Sequence, residues 1–164
     1  MGSPSSRGRR GTDDDERPLT AKGQKRMRQI ARGSRRLGPG LDRIVTSPLP
    51  RARETAQIVA DALGAKDRLE TADVLRAGAE PAAIQSWLRE RDEERLMIVG
   101  HNPSFSQLIA LLVLGPTQPE AGTCELKKGG IACLGRISSS PDRHQLLWLA
   151  TPRLVRGYAG TRNA

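Results

Sequence analysis

The segment Leu96-Met-Ile-Val-Gly-His-Asn-Pro103 gives the clearest indication of the fold class. Its four consecutive apolar residues, 96–99, predict a short strand that is buried on both faces, as is typical of the centre of a parallel sheet. Asn102 is a good N-cap and Pro103 suits a first helical position, so a helix is predicted from there to about Leu114. A strand that passes directly into a helix is the repeating unit of an α/β layered domain.

The same alternation continues on both sides of this stretch. Further strands are predicted at residues 43–46, 130–137 and 145–150, the last two forming a hairpin around 138–143, and a strand or an extended link is predicted near residues 71–75. Apolar residues at helical spacing predict further helices at residues 21–37, 49–63 and 80–91. We therefore expect an α/β fold with a mostly parallel sheet flanked by helices. In such folds ligands bind where the strands end and the helices begin.

Length and composition fit one domain. The 164 residues suffice for a core without disulfides or metals. The composition predicts a disordered or aberrant N-terminal segment 1–16, a domain 17–158 and a flexible tail 159–164. Because no apolar run approaches the roughly 20 residues of a membrane span, we expect no membrane partner. The polar start lacks a signal-peptide pattern, so a cytoplasmic protein is expected. We expect it to be a monomer.

The cysteines and the charge narrow the function classes. Cys124 and Cys133 match no zinc or redox spacing, and only His101 and His144 add imidazoles, so we discount metal binding. The net charge of +9 attracts polyanions, and many of the basic residues lie in the run Lys22–Arg36. A solvated helix face explains this run as well as nucleic acid does. The sequence carries no nucleic-acid-binding motif and few stacking aromatics, so nucleic acid is an unfavoured partner.

Two residues at predicted strand ends have side chains suited to phosphate. His101 lies between a buried strand and a helix start, where free N–H groups and the helix dipole favour an anion. A hydrogen-bonded structural histidine is an equally good interpretation. Arg51 lies in the first turn after the strand that ends at Ser47, and its guanidinium can grip two oxygens at once. A surface ion pair with Glu54 would also explain Arg51 or Arg53, and only one of these two arginines is expected to serve.

Three other polar residues are less informative. Lys127 and Lys128 precede a Gly-Gly turn, where they either line the rim of the site or belong to a solvated turn, and the solvated turn is favoured. His144 lies at the edge of the predicted hairpin, so we expect it to be exposed and to have no role.

Four stretches occur in the order and spacing of SixA-type phosphohistidine phosphatases: Arg17-Pro-Leu-Thr20 with Gly23, Thr46-Ser-Pro-Leu-Pro-Arg-Ala-Arg-Glu-Thr-Ala56, Val99-Gly-His-Asn-Pro103 and Lys127-Lys-Gly-Gly-Ile-Ala132. From residue 13 to about 157 the sequence therefore resembles the histidine phosphatase, or phosphoglycerate mutase-like, superfamily. The resemblance implies that superfamily's three-layer domain and a hydrolase that needs no metal or organic cofactor. Its implied substrate is a phosphorylated histidine on a signalling protein, or a small phosphoester.

The resemblance also implies a mechanism. In this family two histidines and two arginines form a phosphate pocket, one histidine attacks phosphorus, and water hydrolyses the phosphohistidine intermediate. Arg51 matches the pocket arginine of the Ser-Pro-Leu-x-Arg-Ala motif. His101 matches the second histidine, and with Asn102 it is expected to bind the phosphoryl group and to stabilise its charge. Asp73 and Glu80 lie in the region where relatives place an acidic residue, although neither belongs to a convincing motif.

The sequence departs from the family at its beginning. The family opens with an apolar strand that ends in Arg-His-Gly, and Arg9-Arg10-Gly11 is only a superficial echo of it. A one-base shift in possible codons for the first four residues yields His-Gly-Ile-Ala, so we hypothesise that residues 1–12 are an out-of-frame reading of the motif. As written, the chain is expected to be inactive and to fold poorly, because the lost strand would lie inside the sheet.

Three functions stay open at this point. The first is a phosphohistidine phosphatase, active once its nucleophile is restored. The second is a non-catalytic phosphate-binding domain that keeps Arg51 and His101, for which phosphate affinity without turnover would be the sign. The third and least favoured is a basic nucleic-acid-binding protein, for which salt-sensitive binding to DNA or RNA would be the sign.

Overall fold

The computed structural model describes residues 16–37, 40–116 and 124–160. Helices and strands alternate along them as predicted. The helices are α1 (Ala21–Ser34), α2 (Pro50–Leu63), α3 (Pro81–Arg89), α4 (Ser104–Leu114) and α5 (Pro152–Gly160). The strands are β1 (Arg43–Thr46), β2 (Leu69–Thr71), β3 (Leu96–Val99), β4 (Ile131–Ile137) and β5 (Ser140–Ala150). The predictions for residues 1–15, including the missing strand and the altered reading frame, lie outside the described residues.

The main sheet is parallel and has the order β2-β1-β3. Thr46, the last residue of β1, aligns with Thr71 of β2 on one side and with Val99 of β3 on the other. Strands β4 and β5 form an antiparallel hairpin. Within the described residues β1 is therefore the central strand of this sheet, whereas β3 was expected at the centre. The last three residues of β1 are buried, and all four residues of β3 are half-buried.

Two hydrophobic cores lie on the two faces of the main sheet, so the fold has three layers, as expected. Ile44 of β1 packs into a core with α1, α2 and α5. Its neighbour Val45 points to the opposite face and packs with Ile84 of α3 and with Phe105 and Leu108 of α4. Successive residues of a strand point to opposite faces, so one short strand contributes to both cores.

Local signals placed some boundaries correctly and others wrongly. Strands β1 and β3 occupy the predicted residues, and Thr20 caps α1 by accepting a hydrogen bond from the Gly23 N–H at 3.1 Å. Helix α1 ends at Ser34, three residues before the predicted end. Of the strand or extended link predicted near residues 71–75, only Thr71 belongs to a strand, because β2 spans Leu69–Thr71 and a 3-10 turn follows at Asp73–Leu75.

The C-terminal part differs most from the prediction. Strand β5 begins at Ser140 rather than at 145, because the hairpin tip is held by Arg89, which contacts Asp142 at 2.5 Å, and by Arg143, which donates to the Val113 carbonyl at 2.7 Å. Helix α5 was not predicted. It packs its buried Val155 against Gly33 of α1, where an added Cβ would lie 1.9 Å from the Val155 carbonyl oxygen. None of the helices among the described residues is long and apolar enough to cross a membrane.

Candidate functional site

The candidate site begins where β1 and β3 end side by side. The register aligns Thr46 with Val99, and the Ser47 N–H donates to the Val99 carbonyl at 2.9 Å. The chain then leaves β1 through Ser47 and leaves β3 through Gly100 and His101. At this edge the Nε2 atom of His101 lies 2.9 Å from the Ser47 hydroxyl oxygen. A contact across 54 residues of sequence thus joins the two strand ends.

His101 is half-buried, whereas Ser47 is completely buried. The His101 carbonyl accepts the Phe105 N–H at 3.0 Å, so the backbone turns directly from the histidine into α4. Gly100 is required at this point, because an added Cβ would lie 2.5 Å from an edge atom of the buried Phe105 ring. The Phe105 ring therefore packs directly against the backbone of Gly100, the residue before His101.

Arg51 lies in the first turn of α2, four residues after Ser47, and is half-buried. The structure therefore brings Arg51 and His101 to the same sheet edge, linked by Ser47. Arg53 is exposed. Glu54, predicted as a possible partner of either arginine, accepts hydrogen bonds from the Leu19 N–H at 3.0 Å and from the Gln24 amide at 3.4 Å. Glu54 thus ties the segment before α1 to the site.

Asn102 does not cap α4 as predicted. The N-cap position belongs to Pro103, and α4 begins at Ser104. The Asn102 side chain instead donates to the Leu126 carbonyl and accepts from the Ser106 hydroxyl at 3.2 Å. The Leu126 N–H in turn donates to Ser106 at 3.0 Å. Asn102 is therefore engaged with the loop before β4, and phosphate binding by its side chain stays a prediction.

That contact brings Lys127 and Lys128 next to the histidine loop. The Gly130 N–H donates to the Lys127 carbonyl at 2.7 Å, and Gly129 between them has a φ of 76°, a conformation that favours glycine. Both lysines are exposed, and Lys127 contacts Glu125 at 2.5 Å. Lys127 and Lys128 therefore lie in a tight, solvated turn next to the histidine loop. Both sequence interpretations, a solvated turn and a rim of the site, are compatible with this position.

The other candidates lie apart from this cluster or are already paired. Asp73 follows β2 at the same sheet edge, and its carboxylate accepts a hydrogen bond from Arg76 at 2.8 Å. Glu80 lies directly before α3 and forms its N-cap position without a side-chain cap. No contact of either residue indicates a general acid, and that role stays a prediction.

His144 is half-buried, so its predicted exposure is wrong. His144, Leu146 and Trp148 are two residues apart along β5 and are all half-buried, whereas the residues between them are exposed. Burial lowers the pKa of His144, aided by the charge of Arg136 opposite it. Burial likewise raises the pKa of the Cys133 thiol. Within the part of the chain that the structure describes, no group of three His, Cys, Asp or Glu residues is placed to hold a metal ion.

Sequence reasoning missed Ser47 as part of the site. Ser47 stands inside the Ser-Pro-Leu stretch and was treated only as the end of a strand. Its role depends on the register of β1 against β3, which aligns Thr46 with Val99 and so brings the residue after Thr46 within reach of His101. The pairing of the two strand-end motifs was the only signal in the sequence that could have indicated this contact.

Sequence comparisons identify a family model and several proteins that are similar to this chain. A model of the histidine phosphatase superfamily, branch 1, matches residues 4–77. An uncharacterised protein of a Picosynechococcus species is 34% identical over 148 residues, which cover 86% of this chain and 87% of that protein. The phosphohistidine phosphatase SixA of Escherichia coli is 27% identical over 109 residues, covering 65% of this chain and 68% of SixA.

The solved structures give a matching result. The protein histidine phosphatase SixA complexed with tungstate superposes with a TM-score of 0.72 at 22% identity, covering 85% of this chain and 86% of that one. At this identity the similarity concerns the fold alone. It supports the three-layer arrangement described above.

Proposed function

This chain belongs to the histidine phosphatase superfamily, and from that membership we propose that its site binds the phosphoryl group of a phosphohistidine and stabilises its charge. The observation that supports the proposal most is the contact of His101 with Ser47, at the sheet edge where the first turn of α2 carries Arg51. A half-buried imidazole beside a half-buried guanidinium suits a dianion, because both groups donate hydrogen bonds to phosphate oxygens. Phosphatase-type chemistry is the activity that this superfamily membership supports.

In the proposed reaction a histidine takes the phosphoryl group and water releases it, while Arg51 and His101 stabilise the charge on the transferring oxygens. The two histidines of this sequence are His101 and His144. His144 lies on β5, away from the end of β3 and the start of α2. His101 is assigned to charge stabilisation, so the 164 residues by themselves are proposed to bind phosphate without turning it over. The SixA-type activity would need a further histidine at the nucleophile position.

The substrate that we propose is a phosphorylated histidine on a protein, with a small phosphoester as the second choice. The site opens at an edge of the sheet that also carries the exposed Lys127 and Lys128. Such a rim suits a protein surface with acidic residues around its phosphorylated side chain. We propose that the protein acts in the cytoplasm as a monomer.

Arg51 and Arg53 provide a matched pair of variants for the test. Isothermal titration with inorganic phosphate and with tungstate compares the chain with Arg51→Ala and Arg53→Ala, which remove the same charge two residues apart. We expect Arg51→Ala to weaken binding about 10- to 100-fold, the value of a charge-assisted hydrogen bond. Arg53→Ala is expected to change binding by about twofold or less, because its side chain is exposed.

Equal losses in both variants would mean that only the net charge matters, and would contradict a phosphate site at Arg51. Release of phosphate from a phosphohistidine peptide is measured in parallel. We expect none from the 164-residue chain, and turnover that disappears in His101→Gln would overturn the assignment of His101 to charge stabilisation. Salt-sensitive DNA binding in the absence of phosphate binding would favour the basic face of α1 as the functional surface.

A further inference from the structure

The hydroxyl of Ser47 has few possible hydrogen-bond arrangements. It is completely buried, and it carries one proton and two acceptor positions. The Leu49 N–H donates to its oxygen at 3.3 Å. Since the residues on both sides of Leu49 are prolines, this N–H is the only amide donor of residues 48–50. One acceptor position of Ser47 is therefore occupied locally, within its own turn.

The remaining contact of the hydroxyl is the His101 Nε2 atom at 2.9 Å. Among the described residues, Nε2 of His101 is the one acceptor in contact with the Ser47 hydroxyl. If the hydroxyl did not donate to Nε2, its proton would be buried without a hydrogen-bond partner. A buried donor without a partner destabilises the folded state, because it loses its hydrogen bond to water and gains none in the protein. All these donors and acceptors are satisfied when the Ser47 hydroxyl donates its proton to Nε2. In that arrangement Nε2 is the unprotonated nitrogen of the neutral ring.

We infer that Ser47 is a positioning residue that holds neutral His101 as its Nδ1–H tautomer. The ring proton then belongs to Nδ1, and the Nε2 lone pair is engaged by Ser47. With its Nε2 lone pair engaged by Ser47, neutral His101 has no lone pair with which to attack phosphorus. This consequence for His101 rests on the proposed function, whereas the tautomer itself rests only on the contacts of Ser47.

Nuclear magnetic resonance tests the tautomer directly, because the sequence has two histidines and both rings can be assigned. Long-range proton–nitrogen correlations are recorded on 15N-labelled protein above about pH 8, where an ordinary imidazole is neutral. A His144→Gln variant assigns the signals. We expect Nε2 of His101 to resonate as an unprotonated nitrogen and Nδ1 as a protonated one.

Three variants separate positioning from a general structural effect. Ser47→Ala is expected to shift His101 towards the Nε2–H form and to raise the dissociation constant for inorganic phosphate about tenfold. Ser47→Thr keeps a hydroxyl and is expected to restore the Nδ1–H form. Ser34→Ala removes another hydroxyl, one that donates to the Ala31 carbonyl, and is expected to leave His101 unchanged.

An Nε2–H signal in the unmodified protein would overturn the inference, as would an unchanged tautomer in Ser47→Ala. If Ser47→Ala does not fold, the spectrum of the unmodified protein still decides. The spectrum is read without phosphate and without turnover. Phosphate binding can therefore fail while the tautomer is found as expected, which would contradict the proposed function and leave this inference standing.

Discussion

Replacing Gly100 with alanine should displace the histidine loop, and the structure gives the size of the effect. The added Cβ would lie 2.5 and 2.6 Å from two Phe105 ring carbons and 3.3 Å from the Leu75 carbonyl oxygen. Carbon atoms pack best at about 3.5–4.0 Å, so the ring or the loop must move by about 1 Å. Phe105 is only 9% exposed and packs in the core against Leu75, which leaves the ring little room.

Overpacking of this kind costs about 1–3 kcal/mol. Alanine also lowers the conformational entropy of the unfolded chain, which stabilises the folded state by about 0.4–1 kcal/mol and offsets part of this cost. We therefore expect Gly100→Ala to lower the free energy of unfolding by about 1–2 kcal/mol. Urea unfolding measures this loss as a lower midpoint with an unchanged slope. The His101 resonances, recorded in the same sample, should also shift.

The control for this experiment is Gly157→Ala on α5, where an added Cβ meets nothing within 4 Å. There the better helix propensity of alanine should stabilise the protein by up to about 1 kcal/mol. The reasoning would be refuted if Gly100→Ala stabilised the protein as Gly157→Ala does, or if it lost stability without any change at His101.

Three further predictions concern packing, pH and the loop before β4. Gly33→Ala should destabilise the protein by about 1–3 kcal/mol in urea unfolding, because its methyl group would enter the α5 backbone, and a neutral result would contradict the close packing of α1 and α5. Burial lowers the pKa of His144, so the unfolded chain binds this proton more readily and stability should fall as the pH drops below about 6.5. Urea unfolding at several pH values should show a smaller fall for His144→Gln. Ser106→Ala removes the acceptor of the Leu126 N–H, so hydrogen exchange at that amide should quicken about tenfold, and unchanged exchange would contradict the contact.

The strands that carry the site could be located from the sequence because their signals are local. Residues 43–46 and 96–99 are compact runs rich in β-branched and apolar side chains, and both occur where they were predicted. The cap at Thr20 depends on a hydrogen bond across three residues. Interactions of this range need no distant partner, so sequence reasoning can find them.

Elements that depend on distant partners were misjudged. Asn102 has the side chain of an N-cap, yet Leu126 and Ser106 engage its amide, because the loop before β4 folds back onto the start of α4. Helix α5 contains two glycines and has little helical propensity of its own. Its stability comes from the packing of Val155 against Gly33, which lies more than 100 residues earlier in the sequence.

The class of fold, the superfamily resemblance and the candidate phosphate residues Arg51 and His101 could all be inferred from the sequence. These inferences rest on residue types at short, fixed spacings, which do not depend on how the layers pack. How the residues act together became visible only in the folded protein. The register of β1 against β3 places Ser47 beside His101, and burial of that hydroxyl gives the histidine a defined hydrogen-bond donor. Both register and burial are properties of packed layers, and no single segment of the chain encodes them.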